Sequence, residues 1–368
     1  MLNIKKQIER LYLSSVLGML SLTGAWVAIL AARGYSLVEI GIAETVFHIT
    51  SLALEIPSGI FADVFGRKTM LVVSAVMRMA GNIFMIFSGN LFMVCMSIAF
   101  CAVSESFSSG SGDSLAYDSL KMADEASYYE KYASNQLVIY RLCSGISTMC
   151  AGFALFIGYQ AAYGADILIG VLQIGILMTL YEAGVRPYKS ADKKNIVSAV
   201  KKELAGCFTQ SLFFLGTAKR AVFFMFCNSL VGAVDILLLF FLQAKLFETG
   251  IPEGVLGIAL FFMEMGGILG AKIILKCKKM RYRRVFAAAI CLVSFGVLLE
   301  HAGMYPVMAA GGFIAAFGDD ALQVRTNKIL QDMFPSEQRA TLVSMESFIF
   351  SVIMIVLSPL AGILFSWW

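Results

Sequence analysis

The sequence predicts an all-α protein embedded in a membrane, and three observations support this fold class. Hydrophobic residues make up 59% of the chain, charged residues only 15%, and the mean hydropathy is +0.79. Eleven apolar runs are each long enough to cross a bilayer, which takes ~20 mainly apolar residues. Basic residues gather in every second connection between these runs. A water-soluble chain of 368 residues would carry far more surface charge, so the apolar excess must face lipid.

The eleven apolar runs predict eleven transmembrane helices. The first run, 10–32, follows a basic start, but it is too long for the apolar core of a signal peptide and is interpreted as a helix. The remaining runs lie near 36–62, 69–89, 91–117, 134–159, 163–185, 219–246, 252–275, 285–303, 305–329 and 340–366.

The distribution of basic residues predicts the orientation of these helices. Nearly uncharged connections at 33–36, 88–90 and 159–162 alternate with basic ones. With a cytoplasmic N-terminus, 23 of the 29 Lys and Arg residues lie in cytoplasmic segments, while the opposite side holds only Arg33 and Lys245 and the other four lie within helices. Because Lys- and Arg-rich loops stay in the cytoplasm, we expect a multi-pass protein of the cell membrane with its N-terminus inside.

The longest connection divides the chain into a six-helix bundle at 1–185 and a five-helix bundle at 219–368. The linker between them, 186–218, carries apolar residues four positions apart, with charged residues in between. This spacing predicts an amphipathic helix that lies on the inner membrane face, and a solvated linker is the alternative. The apolar positions are Ile196, Val200, Leu204, Phe208 and Leu212.

The most specific motif lies between the second and third runs. It reads Glu55-Ile-Pro-Ser-Gly59-Ile-Phe-Ala-Asp63-Val-Phe-Gly66-Arg67-Lys68. Gly59 would let two helices approach closely, and Gly66 would permit a tight turn. Asp63 would lie at a helix N-terminus, where unpaired N–H groups favour an anion. An ordinary basic loop is the alternative interpretation.

This segment resembles the loop motif of the major facilitator superfamily, Gly-x-x-x-Asp-[Arg/Lys]-x-Gly-[Arg/Lys]-[Arg/Lys], from which only Val64 departs. Segments 105–118 and 335–344 also resemble that family. The resemblance implies two helix bundles around a cavity. It also implies a cytoplasmic gate in which Arg67 meets Asp118, and Asp63 meets the start of the eleventh helix at 340–341. The gate residues are Gly59, Asp63, Gly66, Arg67, Lys68 and Asp118.

The family norm is twelve helices with both ends in the cytoplasm, whereas this sequence predicts eleven. We therefore expect a chain that is shortened by one helix, with Trp368 on the outer side. The adjacent Trp367 and Trp368 suit a membrane interface.

Ionisable residues inside membrane helices are costly and are therefore candidates for function. A carboxyl group that loses its hydration holds a proton more readily, which favours proton or cation handling; a locally satisfied polar group is the alternative. The candidate proton or substrate site comprises Glu105, Asp235, Glu264, Asp319 and Asp320. Nearer the cytoplasm, Asp113 with Arg141 and Arg325 with Glu346 are predicted to form charge pairs, either functional or purely structural.

Together these features predict a secondary active transporter that moves a small solute by alternating access, coupled to protons. An aromatic and acidic cavity would favour efflux of drug-like or cationic solutes, and uptake of a small metabolite by proton symport is the alternative. A non-transporting receptor or scaffold and an intramembrane enzyme are the candidates from other classes. We expect no enzymatic activity, metal or cofactor, since no nucleotide, nucleophile or metal-binding motif occurs. The expected partners are the solute, H+ and the lipid bilayer, without nucleic acid, and the chain is expected to be a monomer.

Overall fold

The computed structural model describes residues 3–183, 206, 219–277, 279–333 and 339–367, and every regular element in them is helical. The α-helices are α1 (Ile4–Met19), α2 (Trp26–Ala32), α3 (Leu37–Phe65), α4 (Arg67–Ile86), α5 (Leu91–Ser108), α6 (Ser111–Met122), α7 (Tyr129–Met149), α8 (Ala151–Ile157), α9 (Tyr159–Met178), α10 (Lys219–Glu248), α11 (Glu253–Lys276), α12 (Tyr282–Glu300), α13 (Tyr305–Met333) and α14 (Arg339–Ser366). A short 3-10 helix, Ala126–Tyr128, precedes α7.

The predicted all-α membrane fold is confirmed, and the ends of the apolar runs agree with the helix ends to within seven residues. In the described part of the chain, eight helical segments are long and apolar enough to cross a membrane, and the bent pair formed by α7 and α8 makes a ninth. The first run is divided into α1 and α2, neither of which is long enough alone. The tenth run is the continuous helix α13, whose hydropathy is lowered by Asp319 and Asp320. The divided first run and the less apolar tenth run account for the difference between these nine segments and the eleven predicted runs.

The connection predicted at 159–162 is wrong, because these residues form the first turn of α9. The chain turns one residue earlier, at Gly158, whose φ is +86°. The connection predicted at 88–90 is confirmed, and Asn90 accepts a hydrogen bond from the backbone N–H of Met93 at the start of α5. The amphipathic helix predicted at 186–218 lies outside the described residues, apart from Gly206, which is helical.

The chain folds into two compact units that do not follow the sequence halves. Unit 1 comprises Met1–Gly24, Val46–Ser147 and Ile157–Phe208, and unit 2 comprises Ala25–Thr45, Thr148–Phe156 and Thr209–Trp368. Two segments of the first half therefore belong to the unit that contains the second half. The predicted bundle boundaries at 185 and 219 stay a prediction.

Unit 1 is built around a buried apolar core where α1, α4, α6, α7 and α9 meet. Tyr132 is its largest fully buried side chain, and its ring stacks on that of Tyr12 at 5.1 Å between centroids. Helices α5 and α6 are separated at Ser109 and Gly110, and Gly110 has a φ of +71°. This interruption lies in the wall of a cavity described below.

Unit 2 joins segments from both halves of the sequence through close contacts between helix backbones. A Cβ atom at Gly41 of α3 would overlap the carbonyl group of Ser358 in α14. A Cβ atom at Gly152 of α8 would overlap the carbonyl group of Glu253 at the start of α11. These backbone approaches are possible only because both positions are glycine, and they allow dense helix packing without large side chains.

The break between α1 and α2 is stabilised by one buried carboxylate. Asp166 of α9 accepts hydrogen bonds from the Ser21 hydroxyl at 2.6 Å, the Leu22 N–H at 2.8 Å and the Thr23 hydroxyl at 2.6 Å. The Ser147 hydroxyl accepts the N–H of Ser21 at 2.9 Å. Backbone groups freed inside an apolar environment must find such partners, so Asp166 compensates for the missing helical hydrogen bonds.

We predict that Asp166→Asn destabilises the protein by about 1–3 kcal/mol. The side-chain amide has only one oxygen that accepts hydrogen bonds, and its NH2 group would face the hydroxyl and N–H donors of the break. Thermal unfolding of the purified protein in detergent measures this change. Asp124→Asn is the matched control, since Asp124 is exposed and lies in a turn where asparagine is tolerated. Equal unfolding midpoints for the two variants would contradict this role of Asp166.

Candidate functional site

The last residues of the loop motif form the start of α4, and a contact that the sequence did not reveal stabilises this helix end. Glu182, which follows α9, accepts the backbone N–H of Arg67 at 3.0 Å and that of Lys68 at 2.9 Å. It thereby satisfies N–H groups that have no partner inside the helix and places a negative charge at the positive end of the helix dipole. Burial raises the pKa of the Glu182 carboxyl, while these backbone donors oppose that shift.

Gly66 is required for this arrangement on two grounds. Its φ of +98° lies in a region that residues with a side chain rarely adopt. A Cβ atom at this position would also lie 2.7 Å from a carboxylate oxygen of Glu182. The tight turn predicted at Gly66 therefore serves to admit the carboxylate that caps α4.

The structure brings two predicted gate residues together. The Arg67 guanidinium forms an ion pair with Asp118 and donates to the backbone carbonyl of Ser114 at 2.9 Å. The side chain of Asp63 lies outside the described part of the structure, and so do those of 340–341. Around Gly59, no described atom lies within 4 Å of where a Cβ would be, so the close helix approach predicted there stays a prediction.

A cavity of about 390 Å³ lies within unit 1, on the interruption between α5 and α6. Helices α1, α4, α7 and α9 supply its other walls. Most of its polar lining consists of hydroxyl and amide groups, and two of them, Ser74 and Ser104, are hydrogen-bonded to each other at 3.1 Å. The charged groups in the lining are Arg78, Glu105 and Asp113. Of these, the sequence predicted Glu105 as a site residue and Asp113 as a member of a charge pair.

Arg78 is the only cation in the described lining of this cavity, and its described hydrogen-bond acceptors are neutral. Its guanidinium donates to the backbone carbonyl of Gly18 in α1 and to the side-chain oxygen of Gln173 in α9. The amide nitrogen of Gln173 in turn donates to the carbonyl of Ser14 at 3.1 Å. Arg78 is therefore fixed in place through α1 and α9.

Gln136 presents an unused acceptor on the same cavity. Its amide nitrogen donates to the hydroxyl groups of Ser15 at 2.8 Å and Tyr132 at 2.5 Å. Its side-chain oxygen is buried and has no hydrogen-bond partner among the described residues. Since buried polar atoms are almost always paired, an unpaired oxygen on a residue of the cavity lining is an exception.

Unit 2 gathers the other predicted acids. Asp235 of α10 interacts electrostatically with Asp319 and Asp320 of α13, with Glu264 of α11 and with Glu300 of α12. Asp235 and Asp319 are 5% and 7% exposed, and each has one carboxylate oxygen without a hydrogen-bond partner among the described residues. No group of three His, Cys, Asp or Glu side chains in the described ranges has the arrangement of a metal site.

Close packing between α11 and α13 positions this acid cluster. Cβ atoms at Gly266 and Gly270 would overlap the carbonyl groups of Phe313 and Phe317, so the two backbones meet directly. At Gly267, between them in sequence, a Cβ atom would overlap the carboxylate of Asp320. The small residues of α11 therefore leave room for an acidic side chain at the helix interface.

The predicted charge pairs have other described partners. Arg325 donates to the backbone carbonyls of Cys277 at 3.1 Å and Met280 at 2.7 Å. Glu346 accepts a hydrogen bond from the Asn228 amide at 3.1 Å. The side chain of Arg141, the predicted partner of Asp113, lies outside the described residues. Both pairings stay predictions.

Several residues were missed at the level of sequence. Glu300 is fully buried, with both carboxylate oxygens unpaired among the described residues, and its place within the ninth apolar run was an available signal. Arg78 and Asp166 were likewise visible as charges in apolar runs. Gln136 carried no comparable signal, since an uncharged amide in a helix stands out neither by composition nor by spacing.

The family profile of the Major Facilitator Superfamily matches residues 11–303. The chain therefore belongs to this superfamily of transporters and is a multi-pass membrane protein, which confirms the family that the loop motif indicated. It is 22% identical over 330 residues to the uncharacterized MFS-type transporter YxaM of Bacillus subtilis strain 168, and the match covers 88% of this chain and 79% of YxaM.

Solved structures of three transporters show the same fold. A mutant of the nucleoside transporter NupG is 12% identical, with a TM-score of 0.76 and coverage of 96% of this chain and 90% of NupG. The D-xylose-proton symporter is 12% identical, with a TM-score of 0.62 and coverage of 96% and 88%. The peptide transporter POT in complex with sulfate is 12% identical, with a TM-score of 0.68 and coverage of 99% and 89%.

We predict that Gly66→Ala destabilises the protein by at least about 1–3 kcal/mol, because alanine is strained at this φ and its Cβ collides with Glu182. Thermal unfolding in detergent measures the change. Gly89→Ala is the matched control, since Gly89 lies at the other end of α4 and no described atom lies within 4 Å of its Cβ position. Stability equal to that of the control would rule out the Glu182 cap as the reason for glycine here.

Proposed function

We propose that this protein is a proton-coupled transporter of a small polar solute. The observation that carries the proposal is the acid cluster of unit 2, in which Asp235 and Asp319 are buried with unpaired oxygens. A carboxylate that is buried without donors or cations loses most of its hydration energy, so the uncharged acid is favoured there. Opening to water restores hydration and releases the proton, which couples proton movement to a change of conformation.

The unit 1 cavity supports a polar solute more than a lipophilic cation. The preference for efflux of drug-like compounds depended on an aromatic and acidic cavity. The described lining instead combines serine hydroxyls and glutamine amides with charges of both signs, Arg78 on one hand and Glu105 and Asp113 on the other, and such a polar wall suits a polar solute better than a lipophilic one. Solute uptake by proton symport, the alternative, is therefore the mode that we favour. The related structures named for nucleosides, xylose and peptides are consistent with a polar solute, although that similarity concerns the fold alone.

We propose in addition that Arg67 and Asp118 belong to a gate on the side of the basic loops. The pair lies wholly within unit 1, and Glu182 holds the backbone of Arg67 at the same place. Its effect on transport must therefore come from the way in which it holds the first residue of α4 against α6. We propose further that the pair, together with Asp63, stabilises the outward-facing state of the transporter.

We predict that Asp319→Asn abolishes solute accumulation driven by a pH gradient and leaves solute exchange across the membrane intact. The amide cannot carry a proton, whereas the cavity of unit 1 is unchanged. Proteoliposomes that contain a pH indicator and face an acidic medium would be screened with amino acids, sugars, nucleosides and dipeptides. Solute-dependent acidification of the lumen identifies the transported compound, and labelled solute then measures accumulation and exchange.

Glu248→Gln is the control for this experiment, because Glu248 is an exposed acid at the end of α10, the helix that carries Asp235. It should accumulate solute like the wild type. Asp235→Asn tests the second buried acid in the same way. If both buried-acid variants accumulate solute normally, the proposed coupling site is wrong.

We predict that Asp118→Asn lowers the transport rate about two- to fivefold, since loss of a partly exposed ion pair costs up to about 1 kcal/mol. Initial rates in proteoliposomes with a matched amount of protein provide the measurement. Asp124→Asn, which lies beyond the end of α6, is the control and should keep the wild-type rate. A normal rate for Asp118→Asn would remove the pair from the gate.

A further inference from the structure

Arg78 of α4 is a cation on the wall of the unit 1 cavity that lacks an anionic hydrogen-bond partner. Its described hydrogen bonds go to the Gly18 carbonyl and the Gln173 amide oxygen, both neutral acceptors. Guanidinium groups inside membrane proteins are costly unless a negative charge compensates them. Among the described residues, therefore, this group is fixed in position but its charge is not paired.

Asp166 acts on Arg78 electrostatically, but its oxygens are engaged elsewhere. They accept hydrogen bonds from Ser21, Leu22 and Thr23 in the break between α1 and α2. A carboxylate that is fully supplied with donors needs no guanidinium. The remaining donors of Arg78, a residue of the cavity lining, are thus left for a group that comes from outside the protein. A planar guanidinium is best matched by a carboxylate.

The same cavity also offers acceptors for a cationic group. Gln136 contributes a buried side-chain oxygen that has no described partner, while Glu105 and Asp113 add negative charge to the lining. Both signs of charge are therefore present in one cavity of about 390 Å³, which is large enough for a small molecule. A solute with one charge alone would leave the other side of the cavity uncompensated.

We propose that the unit 1 cavity binds a small zwitterionic solute of the amino-acid type, whose carboxylate contacts Arg78 and whose ammonium group contacts Gln136 and Glu105. This inference rests on the proposed function, because it names the solute of the proposed transporter. A zwitterion is a narrower class of solute than the polar solute of the proposed function, since it excludes sugars and nucleosides.

The first test is ligand binding to the purified full-length protein. The twenty common amino acids, D-xylose and uridine are each added, and the thermal unfolding midpoint is measured. We expect at least one amino acid to raise the midpoint, whereas its methyl ester and its N-acetyl derivative do not. Stabilisation by D-xylose or uridine alone, or by no amino acid at all, would overturn the proposal.

The second test uses variants and the amino acid that binds most tightly. Arg78→Lys keeps the charge but loses the planar donors, and we expect it to weaken affinity about 10- to 100-fold. Because Arg78 also fixes α1 to α9, Glu105→Gln serves as a variant at an exposed lining position that does not threaten folding. It should weaken binding of the amino acid about tenfold, by loss of one charged contact, and leave the unfolding midpoint of the free protein unchanged.

Lys121→Gln is the matched control, since Lys121 is exposed at the end of α6, outside the cavity. It should bind like the wild type. Wild-type affinity in folded Arg78→Lys and Glu105→Gln proteins would show that the cavity does not recognise a zwitterion. Failure of this inference is distinguishable from failure of the proposed function. If the protein accumulates an uncharged solute in response to a pH gradient, and Asp319→Asn abolishes that accumulation, the proposed function stands and only the zwitterionic solute is refuted.

Discussion

The hydrocarbon core of a membrane supplies no water, so every polar group placed there must find its partner within the protein or in a bound ligand. This constraint accounts for the way in which the break in the first helix is stabilised. Residues between α1 and α2 lose their helical hydrogen bonds, and Asp166 and Ser147 replace them from α9 and α7. An interrupted membrane helix is stable only when other helices carry such acceptors, so the position of α9 and the course of α1 depend on each other.

The same constraint identifies the groups to which we assign a function. In unit 1, many hydroxyls and amides are hydrogen-bonded to neighbouring groups, while Arg78 in the cavity lining has no described anionic hydrogen-bond partner and Gln136 has an unpaired acceptor. In unit 2, Asp235 and Asp319 are buried without full hydrogen bonding. The incompletely paired groups of the two units differ in chemistry, and the proposed function assigns them different tasks. Donors and acceptors on a cavity suit solute recognition, whereas crowded acids suit the uptake and release of a proton.

The loop motif shows how a short sequence pattern depends on a distant residue. Gly66, Arg67 and Lys68 match the family motif, yet the acid that caps their helix is Glu182, more than one hundred positions further along the chain. The glycine is necessary because the carboxylate occupies the space of a Cβ. The motif thus contains the residues on only one side of a contact between α4 and the segment after α9. The ion pair between Arg67 and Asp118 connects α6 to the same end of α4.

The sequence by itself determined the helices, their approximate ends, the family and most of the acids to which we assign a function. Apolar runs are bounded by charge and glycine, and a charge such as Glu105 or Asp319 stands out within them, because lipid imposes a simple rule on composition along the chain. Only the tertiary structure decided which groups meet. It assigned Glu182 to the N-terminus of α4, left Arg78 without a described anionic partner, and packed Asp320 against Gly267. Partners are set by helix packing across long sequence separations, and neither periodicity nor local spacing contains that information.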